Sequence, residues 1–167
     1  MQAKCFYREL LILFISIHLI FISVIRAETT IEIDNPRFTE KGLNDKIYEI
    51  KAKKGFKTEE NLKLIFIEGK FKSSEGTWIY LEADSGNFSQ KLNTITLENN
   101  VHFYTDNDES FKSEFATFDI KNDLIELTNN VKHISNRGII IAENSIIDDF
   151  EQVSYLGNVE TKITFEN

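Results

Sequence analysis

Polar and apolar residues alternate in short runs along most of the chain after Lys46. The apolar positions recur at every second residue, which is the side-chain period of a β-strand, and Ile, Phe, Thr and Tyr are frequent in these runs. No stretch in this part has the period of an amphipathic helix of useful length. The alternation predicts the strands Ile47–Ala52, Leu62–Glu68, Thr77–Ala83, Thr94–Leu97, Val101–Thr105, Phe111–Phe115, Leu124–Leu127, Val131–Ser135, Gly138–Ala142, Gln152–Leu156 and Val159–Phe165.

Turn residues separate the predicted strands. Asn and Gly adopt a positive φ at the lowest cost, and both are frequent between the runs. Short strands at regular spacing are typical of a sandwich, a roll or a solenoid, so the sequence predicts an all-β fold. The predicted turns are Ser74–Gly76, Asn99–Asn100, Asp106–Asp108, Asn129–Asn130, Asn136–Gly138 and Gly157–Asn158.

The alternation also assigns two faces to the strands. Small side chains at Gly86, Ala116 and Ser145 are expected to let the two walls of a narrow roll approach closely. The apolar face, predicted to point inward, comprises Ile79, Leu81, Ile95, Leu97, Val101, Phe103, Ile125 and Leu127. The polar face, predicted to point outward, comprises Tyr80, Glu82, Thr96, Glu98, His102 and Glu126.

Residues 83–101 and 113–131 repeat one pattern. Each copy has a small residue two positions before a phenylalanine, then a polar turn, then an apolar alternation, and closes on Asn-Asn-Val. The pattern weakens in both directions, yet its closing positions at 71, 101, 131 and 159 lie 30, 30 and 28 residues apart. A fixed period of this length marks a repeat architecture, in which one unit cannot bury its apolar face alone.

Composition limits the classes of function. The 167 residues suffice for one domain. A net charge of −8 argues against a nucleic-acid partner, because phosphate binding needs a basic surface. The single cysteine, Cys5, precedes an apolar N-terminal run, so no intrachain disulfide can form and stability has to come from burial.

The apolar run extends from Leu10 to Ile25 and follows Lys4 and Arg8. As a helix it would span roughly 24 Å, less than the bilayer core of about 30 Å, and it is long for a signal-peptide core. Because Ile-Arg-Ala at 25–27 is a weak cleavage site, an uncleaved anchor is favoured over a cleaved signal peptide. In both cases the basic residues keep the N-terminus inside, and the remainder is exported.

The sequence thus divides into a membrane anchor at 1–27, a connector with a candidate first edge strand at 28–45, and a β-domain at 46–167. In the connector, Ile31 and Ile33 alternate like an edge strand. The following Asn35-Pro36 is expected to end regular pairing, since Pro has no N–H to donate. Within the anchor, His18 is either a polar contact to a partner helix or a tolerated neutral histidine.

No catalytic motif is present in the sequence, and we predict no catalytic residue, no cofactor and no metal. His102 and His133 occupy similar places in successive repeats, but His102 falls on the polar face, so a metal site is not favoured. Asp106–Glu109 lacks the Gly and distal Glu of an EF loop and is predicted to be a solvated hairpin tip. Trp78 is predicted to be a packing residue rather than a ligand stacker.

Several segments together resemble one family. A short N-terminal membrane segment is followed by Asn35-Pro-Arg-Phe38, by Tyr48-Glu-Ile-Lys-Ala52 and by a Thr-Trp-x-x-Leu-Glu-Ala stretch at 77–83, and the repeats close on Leu-x-Asn-Asn-Val. This combination resembles the LptC family, the periplasmic single-pass components of the bacterial lipopolysaccharide export machine, within the OstA-like repeat superfamily. The resemblance covers nearly the whole chain through degenerate motifs.

The resemblance implies a twisted β-jellyroll, open along a seam and built from about four two-strand repeats, behind one N-terminal transmembrane helix in the bacterial inner membrane. The N-terminus would be cytoplasmic and the β-domain periplasmic. It implies a non-enzymatic relay that takes lipopolysaccharide from an inner-membrane ABC transporter of the LptB, LptF and LptG type and passes it to a bridge protein of the LptA type.

Two sets of site residues follow from this expectation. The acyl chains of lipid A are expected on the interior residues Ile79, Leu81, Phe88, Leu97, Val101, Phe103, Phe118 and Leu127. The partner protein is expected on the edge formed by Val159, Thr161, Ile163 and Phe165.

Two alternatives stay open. A soluble LptA-like bridge protein has the same repeats behind a cleaved signal peptide, and loss of residues 1–27 from the mature protein would identify it. An exported structural or adhesive β-solenoid would have the repeats without a lipid ligand.

Overall fold

The structure is a computed structural model that describes residues 29–42, 46–59, 61–149 and 151–164. Across these ranges the regular structure is entirely β, in one antiparallel sheet of eleven strands. The strands are β1 (Ile31–Asp34), β2 (Arg37–Lys41), β3 (Ile47–Lys57), β4 (Asn61–Lys72), β5 (Trp78–Ser89), β6 (Thr94–Thr105), β7 (Ser110–Asp119), β8 (Leu124–Ser135), β9 (Gly138–Asp148), β10 (Gln152–Leu156) and β11 (Glu160–Ile163).

The predicted anchor, Leu10–Ile25, lies outside the described residues. Within the described ranges, no helix has the length and apolar character needed to cross a membrane.

The sheet is a meander in which β3 to β9 each pair with the strands before and after them. At one edge, β1 and β2 both pair with β3, and at the other edge β10 and β11 both pair with β9. Asn35-Pro36 interrupts the first edge but does not end its pairing, which corrects the prediction. Pairing then resumes on the same partner strand, because the Pro36 carbonyl accepts a hydrogen bond of 3.1 Å from the Ala52 N–H. Each edge is therefore one long strand with an interruption near its middle.

A row of irregular positions crosses the middle of all these strands, and we call it the corner row. It contains residues 35–36, 53, 66, 84, 99–100, 114, 129–130, 143 and 157–159. Every second strand has a positive φ there, at Asn35, Phe66, Asn99, Asn100, Asn129, Asn130 and Gly157. The intervening strands have two consecutive outward side chains instead, as at Glu114 and Phe115 of β7. The strands bend at this row, and the sheet folds into two walls.

Two predicted turns are corrected by this arrangement. Asn99–Asn100 and Asn129–Asn130 do adopt positive φ, but they bend the continuous strands β6 and β8 rather than ending them. The strands that the sequence split at these positions are therefore single strands. The predicted turns at Ser74–Gly76, Asp106–Asp108 and Asn136–Gly138 fall in or beside the hairpins between successive strands, as expected.

The two walls are defined by the halves of the strands. Wall A holds residues 37–41, 47–52, 67–72, 78–83, 101–105, 110–113, 131–135, 138–142 and 160–163. Wall B holds residues 31–34, 54–57, 61–65, 85–89, 94–98, 115–119, 124–128, 144–148 and 152–156.

The core lies between the two walls. The eight residues predicted to point inward are each at most 1% exposed, and the six predicted to point outward are half-buried or exposed, so the predicted faces are confirmed. Gly86, Ala116 and Ser145 are buried. A Cβ on Gly86 would lie 2.5 Å from the Thr96 carbonyl oxygen and 2.9 Å from Ile67 Cδ1 of wall A, so a larger side chain has no room there.

Candidate functional site

The eight residues predicted to contact lipid all lie in the core between the walls. Their exposed fractions are at most 7%, and the largest value belongs to Phe88. These side chains fill the interior in this conformation, so a ligand has to displace some of them or separate the walls. The residues are Ile79, Leu81, Phe88, Leu97, Val101, Phe103, Phe118 and Leu127.

Aromatic rings carry the contact between the walls. Phe118 of wall B lies 5.2 Å from both Tyr48 and Phe71 of wall A, and 6.4 Å from Phe103, measured between ring centroids. Tilted and edge-to-face pairs of this kind add about 0.5–1.5 kcal/mol each beyond the area they bury. Phe118 is therefore the apolar centre at which the two walls meet.

A polar cluster joins the hairpin ends of the two walls, and we call it the clasp: Lys46, Ser74, Asp123 and Asp149. The Lys46 ammonium pairs with both carboxylates, at 3.1 Å from Asp123 Oδ2 and in a short contact with Asp149. The Ser74 hydroxyl donates a hydrogen bond to Asp149. Lys46 and Ser74 belong to the ends of wall A, whereas Asp123 and Asp149 belong to the ends of wall B. The clasp therefore ties the walls together on the side away from the corner row.

The clasp is incompletely satisfied. The side chains of Lys46 and Asp123 are 9% and 4% exposed, and Asp123 Oδ1 is buried without a hydrogen-bond partner among the described residues. Burial raises the pKa of Asp123, and Lys46 opposes this shift. Removing two charges from water costs several kcal/mol, which a single ammonium recovers only in part. The two carboxylates of the clasp therefore accept fewer hydrogen bonds from the described residues than they could.

A second polar contact crosses the interior between β8 and β10, near the last edge of the sheet. His133 of wall A stacks on Phe111 at 4.0 Å between centroids, and its Nδ1 forms a short hydrogen bond with the Tyr155 hydroxyl of wall B. Burial lowers the pKa of His133 and raises the pKa of Tyr155 to about 12. Ser145 lies opposite Tyr155 in the sheet. Within the part of the chain that the structure describes, neither Ser145 Oγ nor His133 Nε2 has a hydrogen-bond partner.

The two histidines of the repeats are not equivalent, which corrects the sequence prediction. His102 pairs in register with Lys112 and through it with Lys132, whereas His133 corresponds to Phe103. His102 therefore points outward, with Nε2 2.8 Å from Ser110 Oγ, and His133 points inward. Over the described ranges, no group of three His, Cys, Asp or Glu side chains is arranged to hold a metal ion.

The last strand presents an exposed edge. Ile163 is 64% exposed, Val159 is about half exposed and Thr161 is exposed, while Phe165 lies outside the described residues. The Thr164 N–H donates to the Arg137 carbonyl at 3.1 Å. Since hydrogen-bonding direction alternates along an antiparallel strand, the N–H of Ile163 points away from β9. Within the described residues, β11 has a partner strand on one side only.

Sequence reasoning identified the interior and the edge but missed the clasp and the His133–Tyr155 contact. Lys46 and Asp149 are 103 residues apart, and no local pattern links them. Asp123 does have a local sequence signal, because it ends the polar turn of the second repeat copy. The structure gives it a positive φ there. Its partners follow only from the fold.

Comparison with known proteins does not identify a family for this chain. No protein-family model matches the chain, and a comparison with curated proteins finds no similar sequence. The functional assignment therefore depends on the residues and their arrangement.

Proposed function

We propose that the chain is a membrane-anchored, non-enzymatic lipid relay of the LptC type. It would receive lipopolysaccharide from an inner-membrane ABC transporter of the LptB, LptF and LptG type and pass it to a periplasmic bridge protein of the LptA type. The twisted β-jellyroll with a seam, and the transmembrane helix before it, belong to this proposal. The observation that carries it is the apolar interior between two walls of one bent sheet, lined by Phe, Ile and Leu.

The interior suits acyl chains on energetic grounds. Each CH₂ group moved out of water contributes about 0.8 kcal/mol. A glycolipid whose several chains were fully enclosed would be held by an amount on the order of tens of kcal/mol and would not leave. A relay therefore covers the chains only in part. A filled interior closed by an incompletely satisfied clasp fits this requirement, because chains that enter beside the clasp would replace only some of the apolar contacts between the walls.

The two edges of the sheet give the relay a direction. The first edge follows the predicted anchor in the sequence, and the carbonyl of its Pro36 bonds Ala52 of β3. The last edge contains no proline among residues 152–164 and exposes Val159 and Ile163. We assign the first edge, which follows the anchor, to the periplasmic domains of the transporter. We assign the last edge to the bridge protein, which would add a strand to β11.

Photo-crosslinking of the full chain in bacterial cells tests the proposal. A photo-reactive amino acid at Phe88 or Phe103, inside the walls, should capture lipopolysaccharide. The same group at Glu82 or Glu126, on the outer face, should not. Equal labelling at all four positions would contradict an interior lipid site.

The same experiment separates the alternatives. A mature protein that lacks residues 1–27 but still captures lipid at Phe88 would be the soluble bridge. Absence of lipid at every position, in a protein that is exported and folded, would favour a structural or adhesive solenoid.

A further inference from the structure

A cleft of about 670 Å³ lies at the hairpin end of wall A, beside the clasp. Its lining includes Lys46, Lys70 and Lys72 together with Trp78, Ser74 and Glu49. Three lysines thus converge in a protein whose net charge is −8. Glu49 is the only acidic residue among the described residues that line the cleft, so the lining has a positive balance.

Two of the lysines are held against the indole ring. The Nζ atoms of Lys72 and Lys70 lie 4.7 Å and 5.3 Å from the centroid of Trp78, within the range of cation–π attraction. Lys70 also pairs with Glu49 at 3.1 Å, but both side chains are about half exposed, so solvent weakens that pair. Lys72 forms no ion pair with any described residue. Its charge is available to a ligand.

The third lysine is shared between the cleft and the clasp. Lys46 lines the cleft and at the same time pairs with Asp123 and Asp149 across the walls. An anion in the cleft would attract the same ammonium that holds the walls together. Lys46 can respond because its charge sits at the end of a four-carbon stem. Because Asp123 Oδ1 has no hydrogen-bond partner in the described ranges, the closed arrangement does not fully satisfy this carboxylate there.

We propose that this cleft binds the anionic head group of an amphiphile, with a phosphate ester as the chemical class, and that the bound anion releases the clasp. Lys72 and Lys70 hold the anion beside Trp78, and Lys46 leaves Asp123 and Asp149 to join them. The ends of the two walls then separate, and the acyl chains enter the interior. Admission of the chains rests on the proposed function, whereas anion binding in the cleft does not.

Anion binding shifts the equilibrium between the closed and the open clasp toward the open state. A ligand shifts a conformational equilibrium only when it binds one state more tightly than the other. Here the open state offers the anion three ammonium groups, and the closed state offers two. An uncharged amphiphile gains nothing from Lys46, so it does not favour opening. The clasp would thus select lipids by their head group before any chain is buried.

The chain contains a reporter for the first step, because Trp78 is its only tryptophan. Inorganic phosphate, a long-chain alkyl phosphate and the matching uncharged alkyl alcohol are titrated into the purified full chain while Trp78 emission is followed. Capture of each labelled amphiphile by a photo-reactive group at Phe103 reports the second step. We expect phosphate and alkyl phosphate to change the emission saturably, and Phe103 to capture the alkyl phosphate in preference to the alcohol.

Three variants separate the steps. Lys72→Met should weaken the phosphate response by about tenfold, since a hydrogen bond to a charged group is lost. Lys132→Met, an exposed lysine outside the cleft, is the matched control and should have no effect. Asp123→Asn weakens the hold on Lys46 without altering Lys70, Lys72 or Trp78. It should allow Phe103 to capture the alcohol about as efficiently as the alkyl phosphate.

The contrary results are equally specific. Equal phosphate responses in Lys72→Met and Lys132→Met would overturn the anion site. Equal capture of alcohol and alkyl phosphate by the unaltered protein, or an unchanged preference in Asp123→Asn, would overturn head-group control of the clasp. If phosphate alters Trp78 emission but no amphiphile labels Phe103 in any variant, the anion site stands, whereas release of the clasp to admit chains fails together with the proposed lipid interior.

Discussion

The side-chain amide of Asn130 donates a hydrogen bond of 2.6 Å to the carboxylate of Glu114, and both residues lie in the corner row. Equivalent bonds join Asn100 to Asp84 at 2.7 Å and Asn158 to Glu143 at 2.6 Å. The paired residues are 16, 16 and 15 positions apart. The repeat thus has a chemical signature, in which a corner asparagine bonds an acidic residue on the preceding strand.

The positive φ of Asn130 should matter more to stability than its hydrogen bond. A side chain with a Cβ other than Asn or Asp costs about 1–2 kcal/mol in the left-handed region. We therefore expect Asn130→Ala to be less stable than Asn130→Gly by about 1 kcal/mol, measured by urea denaturation. Asn122→Ala is a control, because Asn122 makes a similar bond to Asp119 at 2.7 Å without a positive φ. Equal stabilities of the Ala and Gly variants at 130 would show that the bend does not depend on φ.

Loss of Lys46 should destabilise the fold through the carboxylates it leaves behind. Lys46→Met removes the partner of both Asp123 and Asp149, and an uncompensated buried charge costs about 3–5 kcal/mol. Asp123→Asn in the Lys46→Met background should recover part of this loss, which a double-mutant cycle in urea would measure. A loss below about 1 kcal/mol, typical of an exposed pair, would contradict a buried clasp.

His133 should make the protein less stable in mild acid. Burial lowers the pKa of His133 in the folded state below its unfolded value, so the unfolded chain binds the proton more readily. Its contribution is therefore present above the unfolded pKa and is lost as the pH falls through the folded pKa. His133→Phe copies the residue found at Phe103 and removes this titration. The difference in unfolding free energy between neutral and mildly acidic pH should shrink in that variant but not in Lys132→Met.

The free edge of β11 gives a prediction about assembly. Ile163→Pro removes an N–H that points away from β9, so the monomer should stay folded and still bind the proposed lipid, while losing the proposed bridge protein. Lys162→Pro removes an N–H that faces β9, and it should detach β11 from the sheet. Co-purification of the bridge protein, with hydrogen exchange on β9, distinguishes the two variants. If the bridge protein still binds Ile163→Pro, this edge is not the docking site and the proposed direction of the relay is wrong.

Alternation predicted the strand type and the inward residues because each wall obeys the two-residue period of a strand. The strand lengths were wrong wherever that period breaks. In β7, Glu114 and Phe115 are both outward, and in β6 three consecutive residues, 98–100, are exposed. An Asn-Asn pair satisfies a hairpin and a bend equally well, since both need positive φ. The sequence alone could not decide between them, nor bring Lys46 to Asp149.

Two kinds of backbone conformation alternate along the corner row, left-handed and extended. Among the described strands, counting each interrupted edge as one, left-handed corners alternate with extended corners, and both edges of the sheet carry the left-handed kind, at Asn35 and Gly157. Each pair of neighbouring described strands therefore joins one left-handed corner to one extended corner. A head-to-tail homopolymer would set two left-handed corners side by side. In the proposed relay, a neighbour that extends the sheet and keeps this alternation has to offer an extended corner, which neither described edge of this chain does.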